Sequence, residues 1–134
     1  MKNTAIAKSI FGIIILIQIS CSSNTLKGTW QYDGGIYDGK IQKASEDFKM
    51  QRTYTANQYE AYMIEGEDQP EKYASGTYEI KGDDLLLTGE YSRQPSQLVG
   101  KTISYKFNIE KQKLTLKGTL PNGMNIEEYW KKIK

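Results

Sequence analysis

From Leu26 onward the chain alternates apolar and polar residues with a period of two, and turn-forming residues interrupt the alternation about every 8 to 12 residues. Successive side chains on a strand point to opposite faces. A segment with apolar residues at every second position therefore has one dry face and one wet face. No run of useful length places apolar residues at the three-and-four spacing of a helix. The pattern restricts the chain to an antiparallel all-β fold.

Eight segments carry it. In residues 26–33 the inward set is Leu26, Gly28, Trp30 and Tyr32, after which Gly34-Gly35 opens a long connection. Residues 47–54 put Phe48, Met50, Arg52 and Tyr54 inward; residues 58–65 put Tyr59, Ala61 and Met63 there. Residues 73–81 set Ala74, Gly76, Tyr78 and Ile80 against Tyr73 and its neighbours of like parity. Gly82-Asp83 is a hairpin signal, followed by Leu85, Leu87, Gly89 and Tyr91 in residues 84–91. After a proline-containing loop, residues 101–110 turn Ile103, Tyr105, Phe107 and Ile109 inward. Residues 113–120 turn in Leu114, Leu116, Gly118 and Leu120, and Pro121-Asn122-Gly123 leads to residues 124–133 with Met124, Ile126, Glu128 and Trp130. An even-numbered meander closes by pairing its first strand with its last, which removes both exposed edges. The expected fold is an eight-stranded antiparallel up-and-down barrel over residues 26–134.

The segment before it is an address. Lys2 and Lys8 form a positive start, Ile10 to Ile17 an eight-residue apolar core, and Ser20 the small residue before Cys21, the pattern of a bacterial lipoprotein signal in residues 1–20. A spanning helix needs about 20 apolar residues, so a transmembrane anchor fits poorly. Gln18 stands where such signals usually carry leucine, which leaves open cleavage after Ser22 or Ser23 to give a protein without lipid. The expectation is lipidation of Cys21, with residues 21–25 as the tether and the membrane as the partner held through it. With three acyl chains, release from that membrane would be negligible.

Two of the 18 Lys and Arg lie in the signal and none of the 16 Asp and Glu does, so from Cys21 onward the balance is 16 against 16. No basic excess remains for a phosphate backbone, and nucleic acid is not an expected partner. Cys21 is the only cysteine, so no internal disulfide forms. The absence of histidine removes the usual nucleophile systems and most transition-metal sites. The adjacent carboxylates Asp83-Asp84, Glu67-Asp68 and Glu127-Glu128 point to opposite faces if they lie on strands. Asp33-Gly34-Gly35 and Asp38-Gly39 only faintly suggest a calcium loop. We expect no catalytic residue, no metal site and no cofactor.

Gly28-Thr29-Trp30 at the head of the first strand matches the Gly-x-Trp that opens lipocalins and related calycin barrels. With Leu26-Lys27 before it, Gly76-Thr77-Tyr78 followed by Gly82 and Leu85, and Glu128-Tyr129-Trp130-Lys131 near the end, the chain resembles the small lipocalin-like domains of Bacteroidetes-type lipoproteins. In lipocalins an arginine from the last strand packs across that tryptophan; here the last strand offers Lys131, Lys132 and Lys134. The resemblance implies a non-enzymatic, envelope-located binding barrel. Surface-exported lipoproteins of such bacteria usually carry acids just after the cysteine, and residues 22–27 (SSNTLK) have none, which implies an outer-membrane position facing the periplasm.

Two charges fall on the inward face, Arg52 and Glu128. An unpaired buried charge costs several kcal/mol, so either the two meet or one reaches water at an open barrel end. In the sharper reading Arg52 anchors the acidic head of a ligand, in a site shared with Tyr54, Tyr78, Tyr105, Phe107 and Glu128. Residues 34–46, with Ile36, Tyr37 and Ile41 as apolar contacts, form either a lid over the mouth or an extra hairpin beside the barrel. Two functions stand: a lipid-anchored module holding a small apolar or amphiphilic ligand, and an envelope interaction protein whose barrel is filled by its own side chains. An eight-stranded interior is only just wide enough for a small ligand.

Overall fold

Short turns set the register of the sheet. Lys81 pairs with Asp84 across Gly82-Asp83, and Glu110 pairs with Lys113 across Lys111-Gln112, where both turn residues have positive φ. The structure, a computed structural model, describes residues 26–134, so the signal, Cys21 and the tether lie outside the described residues. It contains β1 (Gly28–Tyr37), β2 (Lys40–Gln42), β3 (Phe48–Tyr54), β4 (Gln58–Glu65), β5 (Glu71–Lys81), β6 (Asp84–Ser92), β7 (Thr102–Glu110), β8 (Lys113–Thr119) and β9 (Asn125–Lys132). Each strand from β3 on pairs antiparallel with the next, and β1 joins β3 on one side and β9 on the other. With β2 set aside, this is the closed eight-stranded antiparallel barrel expected from the alternation.

Closure depends on Gly28, whose φ is +127° and whose position would drive any Cβ to 2.4 Å from the Lys134 carbonyl oxygen. Only glycine lets the last strand cross so near. The Thr29 N–H then donates to that oxygen at 2.7 Å. Trp30 and Trp130 lie on the two closing strands and are 0% and 2% exposed. They share one core with Leu26, Tyr54, Leu85, Leu114 and Leu116. Leu26, Lys134 and the β3–β4, β5–β6 and β7–β8 turns lie at one end of the barrel; the β1–β3, β4–β5, β6–β7 and β8–β9 connections lie at the other.

Three departures from strict alternation correct the sequence reading. Gly34-Gly35 does not end the first strand: a bulge between Tyr32 and Gly35, with Gly34 at φ +96°, absorbs one residue and β1 runs on to Tyr37. Asp38-Gly39 then makes a positive-φ hairpin turn into β2. This takes Ile36 and Tyr37 out of the expected connection and into the barrel wall. Asp38 is committed to that corner, its carboxylate accepting from the Asn125 N–H at 2.8 Å. In β5 a shift between Ala61↔Ala74 and Tyr62↔Lys72 makes Tyr73 the extra residue and turns it toward the interior, although its parity pointed outward. In β6 the shift from Gly76↔Gly89 to Ser75↔Tyr91 does the reverse: Tyr91 is 45% exposed, with the Lys72 ammonium over its ring, and Ser92 takes the inward place.

Candidate functional site

Arg52 sits at mid-height on β3, opposite Trp30 on β1 and Ala61 on β4, and alternation sends its side chain inward. Its guanidinium carbon lies 4.6 Å from the Trp130 ring centroid and 5.6 Å from that of Tyr59. One terminal N–H donates to the Tyr54 hydroxyl at 3.2 Å, while Nε is shut off from solvent and has no hydrogen-bond partner among the described residues. No ion pair to Arg52 occurs among the described residues. Glu128 does not meet it directly. Its Oε2 accepts from the Trp130 indole N–H at 3.1 Å, so the two charges are linked through one tryptophan. Burial works against the Arg52 charge, but Tyr54 and Glu128 outweigh it and hold the guanidinium above its ordinary value.

A cavity of about 170 Å³ runs from Arg52 toward the β6–β7 loop. Tyr59, Ala61, Tyr73, Leu87 and Tyr105 form its deeper walls; Ser92, Leu98 and Val99 enclose it nearer the loop. The loop is held over the barrel by β6. Val99 bridges Gly89, the Gly100 N–H donates to the Gly89 carbonyl at 2.7 Å, and a Cβ on Gly89 would come within 3.3 Å of the Leu98 oxygen. Burial pushes Tyr59 and Tyr73 above the ordinary phenol value and Tyr105 up to about 12, with Arg52 pulling each the other way. These phenols stay neutral across physiological pH, so the wall offers hydroxyls and ring faces beside one fixed cation.

Of the residues expected to form the site, Arg52 and Tyr105 line this cavity and Tyr54 bonds to Arg52. Tyr78 stands apart, donating its hydroxyl to the Thr55 carbonyl at the end where Leu26 lies. Phe107 packs on the core, and Glu128 hydrogen-bonds Trp130 and reaches Arg52 only by its charge. The candidate lid residues fall on the other side of the barrel: Tyr37 shares a hydrogen bond of 2.8 Å with Tyr32, and Ile41 is 80% exposed on β2. Ile36 and Tyr37 thus end β1, Ile41 lies in β2 and Ala44 packs against the core, while the segment that lines the cavity beside Arg52 is the β6–β7 loop. Tyr73, Leu98 and Val99 escaped the sequence reading. A bulge hides the first, and Leu98 and Val99 fall between the proline-containing loop and the next alternating segment, where parity carries no signal. Lys132 takes the place across the first-strand tryptophan, its Nζ 5.6 Å from the Trp30 ring.

A family model described as a lipocalin-like domain matches residues 26–116. No curated protein matches the sequence. Among solved structures the chain is similar to a lipocalin-like protein from Bacteroides uniformis, with 15% identity and a TM-score of 0.58 over 81% of this chain and 98% of that one. A mutant of the fluorescent protein UnaG aligns at 10% identity and a TM-score of 0.43 over 84% of this chain and 99% of that one. At 15% identity the likeness to the Bacteroides uniformis protein speaks to fold alone.

Proposed function

Because the chain belongs to the lipocalin-like domain family, we propose that its barrel is a non-enzymatic binding module that holds a small apolar or amphiphilic molecule in the cavity beside Arg52. The observation that carries this reading is the guanidinium itself, set among aromatic rings and having, among the described residues, a hydroxyl as its one hydrogen-bond partner and an unpartnered Nε. Burying a cation so incompletely paired is a poor stability device, because removing such a charge for an apolar side chain is often neutral or stabilising. A ligand acceptor gives the placement a purpose.

The same proposal puts the protein in the bacterial envelope, anchored by lipid on Cys21, on the outer membrane facing the periplasm. Leu26 lies at the end of the barrel opposite the β6–β7 loop, so a tether of residues 21–25 would turn the cavity away from the membrane surface. Metabolic labelling with a fatty-acid probe is expected to mark the wild type and not Cys21→Ser. Labelling that survives the substitution removes the anchor from the account.

Native mass spectrometry of protein purified from its own membranes tests the binding reading. The wild type is expected to retain a small molecule that Arg52→Met loses while melting at the same or a higher temperature. A wild type that retains no small molecule would favour the filled-barrel interaction protein instead, and a molecule that Arg52→Met retains equally would remove Arg52 from its binding.

A further inference from the structure

We propose that the cavity selects a compact monocarboxylate, a single ring or a chain of similar bulk whose one carboxylate pairs with Arg52. This rests on the reading of the barrel as a binding module and narrows it from any small amphiphile to one class.

Three observations converge. The first is size: about 170 Å³ is close to the cavity of about 150 Å³ that accepts benzene, and well below the 300 Å³ or more of typical drug-sized sites. Trp30, Trp130, Leu114 and Leu116 already fill the core, so a long acyl tail has no room inside. The second is charge. The lining includes two cations, Arg52 at depth and Lys101 at the loop, and no aspartate or glutamate. An incoming carboxylate meets no like charge on the wall, and Glu128 is occupied by the Trp130 N–H outside that lining.

The third is the state of the donors. A guanidinium has five N–H groups, and two of them in parallel suit the two oxygens of a carboxylate. Arg52 lines the cavity and spends one of the five on Tyr54 at 3.2 Å; its Nε, shut off from solvent, has no partner among the described residues. The phenols of Tyr59, Tyr73 and Tyr105, facing the same cavity, supply ring faces for a flat ligand and hydroxyls for its second contacts.

Calorimetric titration of the full chain with benzoate, its neutral analogue benzamide, and laurate separates these arguments. Benzoate is expected to bind at least about tenfold more tightly than either of the others, the difference a charge-assisted pair confers. Arg52→Met should abolish the preference. Ala74→Leu, which fills the cavity and leaves Arg52 in place, should lose benzoate while keeping a cooperative melt. Benzamide binding as tightly as benzoate would overturn the role of the cation, and laurate binding more tightly would overturn the size limit; the binding-module reading survives either result. If none of the three binds while protein from its own membranes retains a molecule, the ligand class is wrong and the module stands. If none binds and nothing is retained, both fall.

Discussion

Trp130→Ala is expected to destabilise the barrel by about 5 kcal/mol and Trp30→Ala by about 3–5 kcal/mol, the range for large aromatic residues deleted from a core. Trp30 is 0% exposed and donates its indole N–H to the Leu26 carbonyl at 2.8 Å, so losing it also frees the residue that plugs that end of the barrel. Trp130 has more partners. Tyr32 meets it edge to face with centroids 5.4 Å apart, Arg52 lies over its ring, and Glu128 accepts its N–H. Alanine there leaves a cavity, an uncovered cation and a carboxylate without its donor, which places this variant at the upper end. Denaturant melts measure both. A loss below about 1 kcal/mol for either would be the size of an ordinary surface change and would contradict the closing register.

Alkali is the second strong perturbation. Burial raises the phenols of Tyr54, Tyr59, Tyr73 and Tyr78, and it pushes Tyr105 up to about 12. Near pH 10 an unfolded chain releases phenol protons that the folded chain still holds. The stability these groups contribute is therefore complete below pH 10 and drains away as pH rises toward their folded values. For Tyr105, 8% exposed, that contribution is about 3 kcal/mol. A titration followed by tyrosinate absorbance and far-ultraviolet circular dichroism is expected to show ionisation and loss of the sheet together in one steep step above pH 10. Phenols that titrate near 10 with the sheet intact would show that they are wet.

What the sequence makes legible follows from how each feature is encoded. Parity is local and repeats in every strand, so it finds the eight barrel strands, the burial of both tryptophans and the inward turn of Arg52 and Tyr105. A bulge is one residue that reverses parity for all that follow; residues 71–75 carry no signal of one and residues 89–92 only Gly89, so Tyr73 and Tyr91 exchange sides. Gly34 and the Asp38-Gly39 pair do carry a backbone signal. Aspartate followed by glycine between alternating segments is a hairpin turn before it is a calcium loop, and that reading finds β2. The cover over the cavity depends on Val99 bridging Gly89, a pairing outside any strand. Such a contact is set by the closed barrel and leaves no periodicity to read.

The proposed site depends on Arg52 holding unspent donors for a ligand. A nitrogen–proton correlation spectrum that resolves arginine Nε–H groups tests it most directly, with the Arg52 signal identified by its loss in Arg52→Lys. On saturation with benzoate that signal is predicted to move downfield and to exchange more slowly with solvent, while the other arginine, Arg93, which pairs with Glu71 at the surface, stays put. An Arg52 signal that does not move while benzoate is bound would contradict the account.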